Sequence, residues 1–152
     1  MAEAAGKFSK LAGLSAWQWW VILSSPLVLL ATWARLRSGG YRRALAATQR
    51  AGISALPEGE QLARARDTAY ALAVAVKFGP WWPKCLLRSL ALGWYLGRQG
   101  IPFELRLGVP QGKTQVGAID KPDFSAHAWV EHAGVVLNDK PDVASEFAPF
   151  DA

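Results

Sequence analysis

This chain lacks a second cysteine: Cys85 stands alone among 152 residues, so no internal disulfide can form and no cysteine cluster can hold a metal. Histidine is almost as scarce, with only His127 and His132, too few ligands for a structural zinc site. The expectation is chemistry without metal or other cofactor. A free thiol is stable in a reducing compartment, which points to the cytoplasm. Charge is thin as well, at 19% of residues against 51% hydrophobic, the balance of a folded chain rather than a disordered one. The net charge of +5 leaves room for an acidic partner, but Lys and Arg are scattered and no basic run exceeds Tyr41-Arg42-Arg43. Nucleic-acid binding is therefore not expected. A secretory signal is not expected either, since neither a basic leading segment nor a small-residue cleavage site frames the first apolar stretch.

The length suits one domain over residues 1–152, mainly helical through 1–78, with 79–152 supplying the helix and sheet that carry the chemistry. From Leu11 to Ala34 no residue is charged. By length this run could cross a membrane, with tryptophans at one end and Arg35 and Arg37 at the other as interfacial anchors. Ser24-Ser25-Pro26 interrupts it in the manner of an N-cap followed by proline at a first helical position. The favoured expectation is two helices, about 9–24 and 26–37, closed by Ser38-Gly39-Gly40 and turned toward the core or a partner. Peripheral membrane contact stays open. A short helix over Tyr41 to Gln49 and a loop over Gly52 to Gly59 follow. Leu62, Ala65, Ala69, Leu72, Ala73 and Val76 then recur at 3/4 spacing, which predicts a helix from Glu60 to Lys77.

Gly79-Pro80 delivers the chain to Pro83-Lys84-Cys85, where an apolar helical pattern starts at once and runs to Gly100. A thiol in a helix's first turn faces unpaired backbone amides and the positive end of the helix dipole. Both favour the nucleophilic thiolate. Beyond Gly100 the period changes from helix to strand. Residues 103–109 alternate apolar and polar, 110–122 form a polar loop, and 125–131 and 135–139 read as a hairpin around His132-Ala133-Gly134. Helices first and antiparallel strands after make an α+β fold.

If the hairpin is centred on Ala133, His127 faces Asp139, with Cβ atoms about 4.5–5.5 Å apart on one face. Asp139 would then fix one ring nitrogen and leave the other as a base. A two-residue turn would shift the register by one and send Asp139 to the other face. Cys85, His127 and Asp139 thus form a candidate nucleophile, general base and orienting acid. A single cysteine is also often a small core hydrophobe, and a strand histidine often a satisfied core group. Asp120 and Asp142 are reserve candidates for the acid. Trp82, Arg88 and Trp129 are candidates for contact with substrate or oxyanion. An ion pair with Glu131 is the plainer expectation for Arg88, as is solvent for His132 in the turn.

Pro83-Lys84-Cys85-Leu86-Leu87-Arg88-Ser89-Leu90-Ala91-Leu92, Leu96-Gly97-Arg98-Gln99-Gly100-Ile101-Pro102, Ala126-His127-Ala128-Trp129-Val130-Glu131 and Leu137-Asn138-Asp139-Lys140-Pro141-Asp142-Val143 together resemble the lasso peptide biosynthesis B2 protein family. These are transglutaminase-like leader peptidases. The likeness is close from Gly79 to Phe147 and general before that. It implies a papain/transglutaminase-like cysteine peptidase core with the nucleophile at a helix N-terminus, and places the family's cysteine, histidine and aspartate on Cys85, His127 and Asp139. It implies removal of the leader peptide from a ribosomally made precursor, and a separate macrolactam-forming cyclase to receive the product. No strand-then-helix pattern of a winged-helix recognition module precedes residue 79, so a separate leader-recognition protein is expected. A transglutaminase-like acyl transferase and a non-enzymatic membrane-associated adaptor are the alternatives.

Overall fold

The computed structural model describes residues 13–49, 56–79, 82–111 and 126–150. Helix α1 spans Ala16–Thr48, α2 Glu58–Phe78 and α3 Cys85–Arg98. Strands β1 (Glu104–Pro110), β2 (His127–His132), β3 (Val135–Val136) and β4 (Phe147–Phe150) form one antiparallel sheet in the order β3-β2-β1-β4, with the single-turn helix α4 (Val143–Glu146) leading into β4. The fold is α+β, as the change of period implies.

Ser15 starts α1 with a capping box: its hydroxyl accepts from the Gln18 amide at 3.2 Å while its own amide donates to the Gln18 side chain at 2.8 Å. The expected break at Ser24-Ser25-Pro26 does not occur, and Pro26 stands inside one helix of 33 residues. Proline removes one amide bond there, and hydroxyls brace the turn before it. Ser24 donates to the Trp20 carbonyl at 2.7 Å and Ser25 to the Val21 carbonyl at 2.6 Å. Tyr95 of α3 reaches in to bond Val21 and shares a hydrogen bond with Ser24. The one departure from helical geometry falls at Gly40, where φ is 69°. The expected helix Tyr41 to Gln49 is thus the last part of α1, beyond that kink.

Val21, Ser25, Val28, Leu29 and Thr32 form the inner stripe of α1 and pack on α2 and α3. By length and composition α1 could cross a membrane, but this stripe belongs to the protein's core. Its outer face carries Trp20, Leu23, Leu27, Leu30 and Trp33 in solvent, again at 3/4 spacing, with Leu23 at 73% exposure. On α2 the buried line is Gln61, Ala65, Thr68, Ala69, Leu72 and Val76, whereas Ala73 is exposed.

α3 lies between the helical layer and the sheet, with Leu92, Tyr95 and Leu96 fully buried. Its head therefore meets β2, as a site built from helix and sheet requires. Pairing of β1 with β2 aligns Gly108 with His127, Arg106 with Trp129 and Glu104 with Glu131. Strand β4 was not foreseen. It pairs along β1 from Pro110–Phe147 to Leu107–Phe150 and brings Phe147 to the site.

Candidate active site

Cys85 is the first residue of α3, and the N-cap Lys84 makes no side-chain hydrogen bond to the first-turn amides. The half-buried thiol lies 3.9 Å from the carbonyl of Ala126, the residue that precedes His127. Helix head and strand start thus converge, with the thiol turned toward the Ala126 carbonyl rather than bonded to the imidazole. His127 bonds Asp139 through Nε2. A neutral ring that donates from Nε2 presents an unprotonated Nδ1, and Nδ1 has no hydrogen bond among the described residues. The second carboxylate oxygen of Asp139 accepts the Lys140 amide at 2.8 Å. Both oxygens of the acid are therefore held.

The His127–Asp139 pair exists although the register expected to create it does not. The hairpin turns through two residues, Ala133 (φ 49°) and Gly134 (φ 76°), both left-handed as a type I′ turn demands. Glu131 then faces Val136 and His132 faces Val135, one residue out of the expected register. A ladder continued in that register would carry Asp139 to the far side of the sheet. It does not continue. Leu137 still donates to the Val130 carbonyl at 2.9 Å, but the Val130 amide goes to the side chain of Asn138 at 2.8 Å instead of returning to strand backbone. The chain bends over 137–139, and Asp139 comes back beside His127.

Asn138 is itself anchored. Its Nδ2 donates to Ser89 Oγ at 2.9 Å, and Ser89, fully buried one turn beyond Cys85, donates to the Ala128 carbonyl at 3.0 Å. Helix head, histidine strand and aspartate segment are joined by these two side chains. Neither was singled out in the sequence. The signal was the pair Asn138-Asp139, a short polar residue beside the acid and able to bond backbone.

The imidazole is walled by rings. Phe147 stacks on His127 with centroids 4.7 Å apart, and Trp129 lies on the same face of β2 at 6.2 Å. Gly108 opposite permits this: a Cβ there would approach Phe147 to 2.9 Å and Trp129 to 3.0 Å.

Of the other candidates, His132 and the Arg88 ion pair are placed differently from expectation. Trp129 is fully buried beside His127 and donates to Glu131 at 2.7 Å. Trp82 is 86% exposed just before α3. Arg88 does not pair with Glu131, which bonds Arg106 at 3.6 Å as well as Trp129. His132 is no turn residue: it ends β2, buried, with Nδ1 2.6 Å from the Pro102 carbonyl. Asp142 is exposed at the N-cap of α4, away from the His127 bond, and Asp120 lies outside the described residues.

The chain is thus an α+β domain with a thiol at the head of a helix that packs on an antiparallel sheet. The chain belongs to the transglutaminase-like superfamily, whose family model matches residues 27–151, from within α1 past the end of β4. No curated protein and no solved structure matches it significantly.

Proposed function

We propose that this chain is a cysteine peptidase of the lasso peptide B2 kind, which removes the leader from a ribosomally made precursor peptide in the cytoplasm. The observation that carries the reading is the His127 Nε2–Asp139 bond at the strand start where the Cys85 thiol arrives. Superfamily membership supports it, since members are in general cysteine-protease-like enzymes. The four sequence blocks from Pro83 to Val143 narrow it to leader removal.

His127, oriented by Asp139, takes the thiol proton at Nδ1. For this the thiol leaves the Ala126 carbonyl; catalytic hydrogen bonds often form only with substrate in place. The thiolate attacks the carbonyl of the last leader residue, and the Cys85 amide at the open head of α3 donates to the oxyanion. One such donor is worth about 3 kcal/mol in the transition state. His127 returns the proton to the departing amine of the core peptide, leaving a thioester on Cys85. Water, deprotonated by the same nitrogen, then hydrolyses it and restores the thiol. The freed amine passes to the cyclase. The exposed apolar face of α1, with Leu23, Leu27 and Trp33, supports docking of the separate leader-recognition protein.

The test is incubation with the precursor peptide of the same gene cluster and its recognition protein, read by mass spectrometry. Two fragments from the parent chain and none from Cys85→Ala are expected. Undiminished cleavage by Cys85→Ala overturns the reading, and a crosslinked product in place of fragments makes the chain an acyl transferase.

A further inference from the structure

A cleft of about 550 Å³ opens between α2 and the segment after β3, and it shares a wall with the candidate site. Its charged and polar lining is Arg66 and Tyr70 from α2, Arg88 from α3, and Asn138, Asp139 and Lys140. The two arginines come from different helices and line one space. Arg88, three residues beyond Cys85, is only partly exposed. Neither guanidinium has an acidic partner among the described residues.

Nearby acids are committed elsewhere. Glu131 is held by Arg106 and Trp129, and Asp67 accepts from Gln18 at 3.5 Å. Asp139, the only carboxylate among the described residues of the wall, gives one oxygen to His127 and the other to the Lys140 amide. Lys140 adds a third cation, shared with Glu146 at 3.6 Å. Like charges that converge in a partly desolvated cleft repel, and a half-buried guanidinium without a counter-ion gives up hydration for nothing. The arrangement becomes favourable when an anion enters, and a planar carboxylate suits two arginine forks.

We propose that this cleft is a carboxylate subsite for the peptide substrate: Arg66 and Arg88 take an acidic side chain close to the bond that Cys85 attacks. Asp139 is at once wall of the cleft and partner of His127, so a peptide held there lies beside the site. The inference rests on the peptidase reading for the nature of its ligand.

The probe is the precursor peptide of the same gene cluster, fluorescently labelled, with a series in which each Asp or Glu in turn becomes Asn or Gln. Affinity is measured on the Cys85→Ala chain, and cleavage on the parent chain. One amide substitution is expected to weaken binding by about tenfold, and Arg88→Gln to do the same. The two together should cost no more than either alone, and the parent chain should show the loss in KM with kcat nearly unchanged. Arg66→Gln gives a second, exposed variant should Arg88→Gln fail to fold. A series that binds uniformly, or losses that multiply, overturns the subsite. A loss that follows amidation of the peptide's C-terminus overturns the side-chain assignment. Cleavage that needs Cys85 but ignores both arginines refutes the cleft alone; arginine-dependent binding without any cleavage by the parent chain refutes the peptidase reading alone.

Discussion

The side-chain oxygen of Asn138 takes the Val130 amide at 2.8 Å, a bond that β3 would otherwise have supplied from its backbone. The polarity of the network is fixed: Val130 donates to Asn138, Asn138 to Ser89, and Ser89 to Ala128. Asn138→Asp keeps the shape but loses the donor to Ser89. It should cost about 1–3 kcal/mol in stability and lower kcat for cleavage more than it raises KM, because Asp139 loses its placement. Ser89→Ala should show the same split. Thermal unfolding and steady-state kinetics measure the two effects, and an unchanged kcat in both variants would show that Asp139 holds its position without them.

Ala133 occupies a left-handed conformation, φ 49°, that asparagine tolerates better. Ala133→Asn should stabilise the chain by about 1 kcal/mol, seen as a rise in Tm of a few degrees, with no change in cleavage. A fall in Tm would contradict the two-residue turn.

Gly108→Ala sets a methyl against Phe147 and Trp129, the rings that flank His127. Overpacking of this kind costs about 1–3 kcal/mol, and here it should also displace the imidazole. Activity is expected to fall even at temperatures where circular dichroism shows the chain folded.

Burial raises the Tyr95 phenol above its ordinary value of 10.0, against an opposing pull from the hydrogen bonds of Ser24 and Ser25. The unfolded chain therefore ionises this tyrosine first as pH rises. Its contribution to stability is complete below pH 10 and is lost as pH climbs through the folded value. Tyr95→Phe should lose about 1 kcal/mol at neutral pH through its missing bond to Val21, yet decline less steeply above pH 10 than the parent. Denaturant titrations on either side of pH 10 decide it; Tyr41, also raised by burial, accounts for a share that both chains retain.

Local pattern was enough for α2, for the start of α3 at Cys85 and for the change to strands after Gly100, because each is written in neighbouring residues. The continuity of α1 was not, since Ser24-Ser25-Pro26 is a local stop signal overridden by a tyrosine some seventy positions away. The same holds for β4, four residues long and ordered by pairing with β1. His127 and Asp139 were matched through a register that the hairpin does not have; the true connection runs through Asn138, whose partners lie on α3 and β2. Arg88 was expected to pair with Glu131, but that carboxylate is held by Arg106, across the sheet from Trp129.

The outermost strands have one more consequence. β3 is two residues long, and β4 includes Pro149, which has no amide hydrogen to offer. Neither rim of the sheet gives an incoming chain a long row of free backbone groups to zip against. Among the described residues there is thus no edge long enough to grip a peptide as an added strand irrespective of its composition. Selectivity falls to what its side chains meet, so two peptides of equal length and different residues should be told apart sharply.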